Sequence, residues 1–300
     1  MMMNSTKRSS KQPTVGYLAF SSSRQGASHI KAGKVCQDAA FARCREGDKY
    51  AIAIVSDGHG GSNYFRSNRG SDFAVKVTQE VIGEYMKNYL KVSAFQELIK
   101  SRKMIESSMF KLKEAIVCRW RLAILQDYQR YPFTEEELTC ISEDMRKKYE
   151  ANPETCFVKA YGATLIVFVL YPNHFWFGLQ IGDGKCVVKN VEGEFFQPIP
   201  WDDKCFLNVT TSLCDEKPLA NFRHCFHTDQ FPLAVFVGTD GVDDCFANDE
   251  DLYGFYQEVI QTFREKNYKI AIKEIDDFLP VMSQKGSGDD ISVGGIIKEK

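Results

Sequence analysis

Tyr50-Ala51-Ile52-Ala53-Ile54-Val55-Ser56-Asp57-Gly58-His59-Gly60-Gly61 carries an apolar, β-branched run straight into Asp-Gly. Two more apolar runs end in the same way: residues 174–181 pass through Gly182 into Asp183-Gly184, and residues 234–239 run into Asp240-Gly241. A sheet holds the carboxylate at a strand end, and the glycine that follows lets backbone or ligand approach closely. A fourth acidic pair, Asp289-Asp290, inverts the order, because it follows Gly286-Ser287-Gly288 and opens the apolar run 291–297. If these ends converge, several carboxylates share one small volume. Two carboxylates about 4 Å apart repel by roughly 4 kcal/mol at an effective dielectric near 20, so such a cluster demands protons or cations. Oxygen-only ligands favour magnesium or manganese.

Around these turns the chain alternates between two periodicities. Strand signals fall at residues 17–21, 39–43, 50–55, 163–171, 175–181, 186–190, 234–238 and 291–297. Phe73, Val77, Val81, Tyr85 and Tyr89 recur every four residues and predict an amphipathic helix from Asp72 onward. A second helical block spans about 94–126 with Met109, Leu112, Ile116 and Trp120 on one face, and Thr134-x-x-Glu137 reads as a capping box opening a third helix toward Tyr149. Two further helices fit near 251–265 and 271–279, the first capped by the acidic run Asn248-Asp249-Glu250-Asp251. Strand runs separated by long helical runs, without regular βαβ alternation, predict α+β layers.

Composition excludes several classes. At 300 residues the chain is long enough to bury about three quarters of its unfolded surface. With 44% hydrophobic residues, 26% charged residues and a formal net charge of −2, nothing directs it to nucleic acid or to an anionic membrane. The ten cysteines include no C-x-x-C pair. With no apolar leader in residues 1–14, the expectation is reduced, mostly buried thiols in a cytoplasmic, monomeric protein. For the same reason the sequons at Asn4 and Asn208 read as chance. The longest apolar stretch, about 165–171, is too short to span a membrane as a helix and reads as a buried strand. Residues 1–14 are basic and Ser-rich and read as a disordered tail ahead of one domain over 15–300, with a helical insert at about 94–153. A single His224-x-x-His227 pair is weak evidence for a metal site and reads as surface.

In order, the motifs are Cys36-Gln37-Asp38, Asp57-Gly58-His59-Gly60-Gly61, Gly162-Ala163-Thr164, Gly182-Asp183-Gly184, Asp240-Gly241-Val242-Asp243-Asp244 and Gly286-Ser287-Gly288-Asp289-Asp290-Ile291-Ser292. The series resembles the metal-dependent protein phosphatases of type 2C, in a bacterial-like form, from near Tyr17 to the C-terminus. The resemblance implies a four-layer α/β/β/α sandwich, two antiparallel sheets flanked by helices. It also implies a serine/threonine phosphatase acting on phosphorylated proteins through a hydroxide that bridges two Mn2+ or Mg2+ ions.

By the same resemblance Asp57 bridges the two ions, the Gly58 carbonyl serves one, and Asp240 and Asp289 serve the other. Asp183 and Asp244, with Asp240, resemble the set that holds a weaker third ion; for Asp183 a plain turn role is the alternative, and Asp243 reads as solvated. Asp38 resembles the acid that orients water. His59 resembles the histidine that protonates the leaving oxygen, against the alternative of a buried histidine bonded to backbone. His29 resembles a Ser-His element that could orient Asp38 or serve structure alone.

The departures are local. Gly33-Lys34 stands where many members carry a phosphate-clamping Arg, so Lys34 is the expected substitute, with Arg24 or Lys31 as alternatives. Gln37 replaces a Glu, Asp290 stands where Asn is common, and Gly184-Lys185 where Ser-Arg is common. A catalytically silent binding domain is the rival reading, and an enzyme for small phosphorylated molecules a third. The blocks 94–153 and 195–230 lie between the chemical motifs and are the expected specificity surfaces.

Overall fold

The computed structural model describes residues 16–44, 48–206 and 209–299. The expected tail 1–14 and the sequon asparagines Asn4 and Asn208 lie outside the described residues. Among those residues ten strands form: β1 (Tyr17–Arg24), β2 (Ala39–Arg43), β3 (Ala51–Ser56), β4 (Leu165–Tyr171), β5 (Phe175–Ile181), β6 (Lys185–Lys189), β7 (Phe195–Phe196), β8 (Arg223–His227), β9 (Ala234–Gly238) and β10 (Ile291–Lys298). They build two five-stranded antiparallel sheets, in the orders β1-β10-β9-β6-β7 and β2-β3-β4-β5-β8.

Period-2 alternation sorts each strand into two layers. On β3, Ala51, Ala53 and Val55 face the second sheet while Ile52 and Ile54 face helices; on β4, Ile166, Phe168 and Leu170 point inward and Leu165, Val167 and Val169 outward. On β9, Val235 and Val237 join the inter-sheet core, and Ala234 and Phe236 join the opposite outer core. The helices Ser67–Tyr89 and Arg102–Arg130 cover one sheet through Val81, Ile82, Ile116 and Trp120, and the helices Asp249–Glu265 and Tyr268–Lys285 cover the other through Tyr256, Ile260, Ile275 and Leu279. This is the expected α/β/β/α sandwich.

Several boundaries differ from the sequence reading. The 94–126 block is two helices, Val92–Leu98 and Arg102–Arg130, because Ser101 caps the second by accepting the Met104 N–H. Thr134 and Glu137 do form a capping box, but the helix they open is short (Glu135–Thr139), and Ser142 starts another, Glu143–Ala151. Asn248 caps the helix Asp249–Glu265 as its acidic run predicts. The expected 271–279 helix extends over Tyr268–Lys285.

Strand β8 carries the H-x-x-H pair, which is not a free surface feature. Residues three apart on a strand lie on opposite faces. His224 Nε2 meets Glu106 Oε2 at 3.2 Å, whereas His227 stacks on Trp176 at 4.0 Å. All ten cysteines are free, as expected; only Cys186, Cys205 and Cys225 are buried, and Cys118 and Cys140 are exposed. No described helix is long and apolar enough to cross a membrane.

Candidate active site

The Asp-Gly turns close β3, β5 and β9, and Asp289-Asp290 precedes β10, which is the antiparallel neighbour of β9. The sheets therefore deliver these turns to one end of the sandwich. There the Asp57 N–H donates to Thr164 Oγ1 at 3.0 Å, the Thr164 N–H donates to the Asp57 carbonyl at 2.8 Å, and the His59 N–H donates to the Gly162 carbonyl at 3.1 Å. Two motifs far apart in sequence thus form one paired loop. Gly182, at φ 108°, lies against the Thr164 side chain, where an added Cβ would come within 2.5 Å. Gly241 packs so closely on Asp290 that a Cβ would lie 2.0 Å from its carbonyl oxygen, which brings Asp240 beside Asp289.

Carboxylate oxygens of Asp57, Asp183 and Asp240 lie within 4.8 Å of one another. They open into a cleft of about 640 Å³ whose lining also includes Gly58, His59, Asp244 and Asp289. Burial, the largest cause, pushes Asp57, Asp183, Asp240 and Asp244 above the usual carboxylate range; neighbours add to it, Asp38 and Asp183 acting on Asp57, and Asp57 and Asp183 on Asp240. Among the described residues no lysine or arginine lines the cleft. Lys185 lowers Asp244 and Arg223 lowers Asp183, but burial outweighs both, so the cluster still fits hard divalent ions, and Gln37 Oε1 adds a buried acceptor with no protein partner.

Asp38 sits behind this wall. Its Oδ2 accepts the Thr239 hydroxyl at 2.8 Å, and its carboxyl is raised chiefly by burial, with the Thr239 hydrogen bond opposing. His59 has its carbonyl bound by Gln37 Nε2 at 3.1 Å, and its ring meets Tyr64 edge-on at 4.7 Å. Burial lowers its imidazole to about 4, against an upward pull from Asp215.

The remaining expected residues lie elsewhere. Lys34 is exposed and outside the cleft lining, as is Lys31, while Arg24 is paired with Asp276 at 2.7 Å. Asp243 is not solvated: it pairs with Lys185 at 3.2 Å, and Lys185 also reaches Asp249 at 2.8 Å, away from the cleft. Burial pushes the Asp243 carboxyl up to about 7, with Lys185 opposing. His29 does not meet Asp38; its Nδ1 lies 2.8 Å from Asp290 Oδ2. Sequence reasoning did not single out Tyr64, on a short 3-10 turn, or Thr210, Ser212 and Asp215, which line the cleft from within the expected surface block 195–230.

The two antiparallel sheets thus gather the acidic turns at one end of the sandwich. The family model described as protein phosphatase 2C matches residues 25–280. The chain belongs to the protein phosphatase 2C family, and is a protein phosphatase by that membership. Solved structures agree in fold. The catalytic domain of the serine/threonine phosphatase PstP, in complex with two manganese ions, is 13% identical with a TM-score of 0.54, covering 95% of this chain and 99% of that one. PppA of Pseudomonas aeruginosa is 14% identical with a TM-score of 0.55 over 94% and 97% of the two chains. The S. agalactiae serine/threonine phosphatase is 15% identical with a TM-score of 0.54 over 94% and 100%. No curated protein matches the chain by sequence.

Proposed function

We propose that the chain hydrolyses phosphoserine and phosphothreonine monoesters on proteins with two Mn2+ or Mg2+ ions at the acidic cleft. One observation carries this reading: the carboxylates of Asp57, Asp183 and Asp240 converge within 4.8 Å in a cleft that no lysine or arginine lines among the described residues. Asp57, the Gly58 carbonyl, Asp240 and Asp289 hold the two ions, and Asp183 and Asp244, with Asp240, hold a weaker third. The chemistry such ions supply is activation of water and neutralisation of the phosphoryl oxygens.

The chain's own groups do the rest. Asp38, fixed by Thr239, orients the attacking water. His59 faces the cleft and donates a proton to the departing serine or threonine oxygen; its low proton affinity in the free protein rises when a phosphate dianion adds negative charge beside it. A phosphate contact from Lys34 has to come from outside the cleft lining, which leaves most of the phosphate binding to the ions. A silent binding domain has no use for buried carboxylates gathered in a cleft that no lysine or arginine lines among the described residues, so that rival is not favoured.

The test is phosphate release from a phosphothreonine peptide and from p-nitrophenyl phosphate, with manganese and with excess chelator. Turnover of both that vanishes with chelator is the expected result. Turnover of the small ester alone points to small-molecule substrates, and turnover that survives chelation rejects the reading.

A further inference from the structure

Among the described residues that line the cleft, Asp215 is the acid to which neither the ions nor the proton transfer gives a task. Its loop stands on the His59 side. The Leu213 N–H and the Ser212 hydroxyl both donate to the Ala163 carbonyl, at 2.9 and 3.1 Å, and the neighbouring Gly162 carbonyl accepts the His59 N–H at 3.1 Å. Gly162 also packs against the rings of His59 and Tyr64, where an added Cβ would come within 2.7 and 2.6 Å of them. Burial is the largest influence on the proton affinity of both rings, and the charge of Asp215 is felt at each. The carboxylate itself is firmly held on one oxygen. The Ser212 N–H at 3.0 Å and Asn221 Nδ2 at 2.9 Å both donate to Oδ2, while Arg121, on the helix Arg102–Arg130, donates to the Asp215 backbone carbonyl at 2.9 Å and not to its side chain. Among the described residues no lysine or arginine forms an ion pair with the carboxylate, and Oδ1 accepts no protein hydrogen bond. Lys159 stands outside the lining, its Nζ 5.7 Å from the centroid of the Tyr64 ring.

We propose that Asp215 is a specificity-determining residue that selects phosphoproteins carrying a lysine or arginine beside the phosphorylated serine or threonine. The inference rests on the phosphatase reading above and names a substrate class which that reading leaves open. With the phosphoryl group at the acidic turns and the departing oxygen at His59, the peptide that carries this oxygen has to run past His59, Tyr64 and the Asp215 loop. The other aspartates of the lining are turned to the ions. Asp215 remains as a fixed negative charge along the path of the peptide. Because its bonds to Ser212 and Asn221 hold it in place, it meets a cationic side chain without the cost of ordering itself, and Oδ1 is open to the charged donor. An acidic side chain in the same place meets repulsion. An ion pair open to solvent on its outer side is worth up to about fivefold in affinity and is screened by salt.

The test is kcat and KM of the full chain, with manganese saturating, on phosphothreonine peptides that differ only in carrying arginine, alanine or glutamate at one flanking position, each position being varied in turn. Wild type is compared with Asp215→Asn and Asp215→Lys. Asp215→Asn keeps an oxygen for the Ser212 and Asn221 donors and removes the charge. Wild type is expected to favour arginine over alanine at one or more flanking positions by about fivefold in kcat/KM, through KM, and the preference is expected to shrink as salt rises. Asp215→Asn brings the ratio to unity, and Asp215→Lys turns it toward glutamate. The wild-type ranking and its salt dependence test the inference even where a variant does not fold. Three results overturn it: a wild type with no arginine preference at any position, a preference that survives in Asp215→Asn and so belongs to another acid, or an Asp215→Asn variant that loses the same factor in kcat on all three peptides with their ratio unchanged, which makes Asp215 a partner of His59 instead. Absence of manganese-dependent turnover on every peptide overturns the phosphatase reading itself, so the two failures are distinct.

Discussion

Thr239 Oγ1 donates to Asp38 Oδ2 at 2.8 Å and accepts the Ser292 N–H at 3.1 Å, joining the loop before β2 to the ends of β9 and β10. Thr239 is buried, so both bonds form away from competing water. Thr239→Val keeps the shape and removes both. The stranded Ser292 N–H and Asp38 oxygen cost about 1–3 kcal/mol, read as a lower urea midpoint of the metal-free protein. A misplaced Asp38 lowers kcat by about 10–100-fold with manganese saturating. Unchanged kcat in a destabilised variant removes Asp38 from the water-orienting role.

Arg66 ties the segment 131–137 to the chain that follows the loop 57–61. All five of its N–H donors are used: Nε and NH2 on Glu137 at 2.7 and 2.8 Å, NH1 on the Tyr131 carbonyl at 2.6 Å and Tyr161 Oη at 2.9 Å, and NH2 on the Pro132 carbonyl at 3.1 Å. A lysine has three donors on a point charge and cannot reproduce that fork. Arg66→Lys is expected to destabilise the chain by about 3 kcal/mol, measured by urea unfolding, and Glu137→Gln by less. A loss under about 0.5 kcal/mol, the range of an ordinary surface substitution, shows that the network is not a clamp.

The elements legible in the sequence were those whose signal is local. Asp57, Asp183 and Asp240 were readable because each terminates a strand whose alternation is fixed by two cores, and the structure does bring them together. Strand β8 escaped notice because Arg223-His224-Cys225-Phe226-His227 lies at a sheet edge, and only Cys225 is fully buried. The helix Ala27–Ala32 also escaped, since its N-cap Gly26 gives no side-chain bond and the chain there is held by Ser283 and Gly288, more than two hundred residues away in sequence. That is why the sequence leaves His29 between orienting Asp38 and a structural hydrogen bond, and does not point to Asp290, its actual partner. Asp215 has no signal of its own within the expected surface block 195–230: it faces the cleft from a loop, held by the Ser212 N–H at 3.0 Å and Asn221 Nδ2 at 2.9 Å.

His59→Gln separates proton donation from metal positioning. p-Nitrophenolate leaves with little need of a proton, whereas a serine alkoxide needs one, and general acid help is worth about 10²–10⁴-fold. The phosphopeptide rate is expected to fall by that order, while the p-nitrophenyl phosphate rate falls much less. Equal losses on the two substrates assign His59 to holding the loop.

Asp183 and Asp244 line the cleft, and neither belongs to the proposed pair of tight sites. Asp183→Ala and Asp244→Ala are expected to leave two manganese ions bound in calorimetry and to lower turnover by about tenfold, a cost of about 1.4 kcal/mol in the transition state. Excess manganese is expected to recover part of the rate. Wild-type turnover at every manganese concentration reduces both to turn residues.

The most direct measurement is an anomalous difference map at the manganese edge from crystals of the full chain grown with manganese. The two-ion account predicts two strong peaks sharing the Asp57 carboxylate, one of them also bounded by Asp240 and Asp289, and loss of both peaks in Asp57→Asn. A map with no peak at Asp57, or with both peaks unchanged in Asp57→Asn, contradicts it.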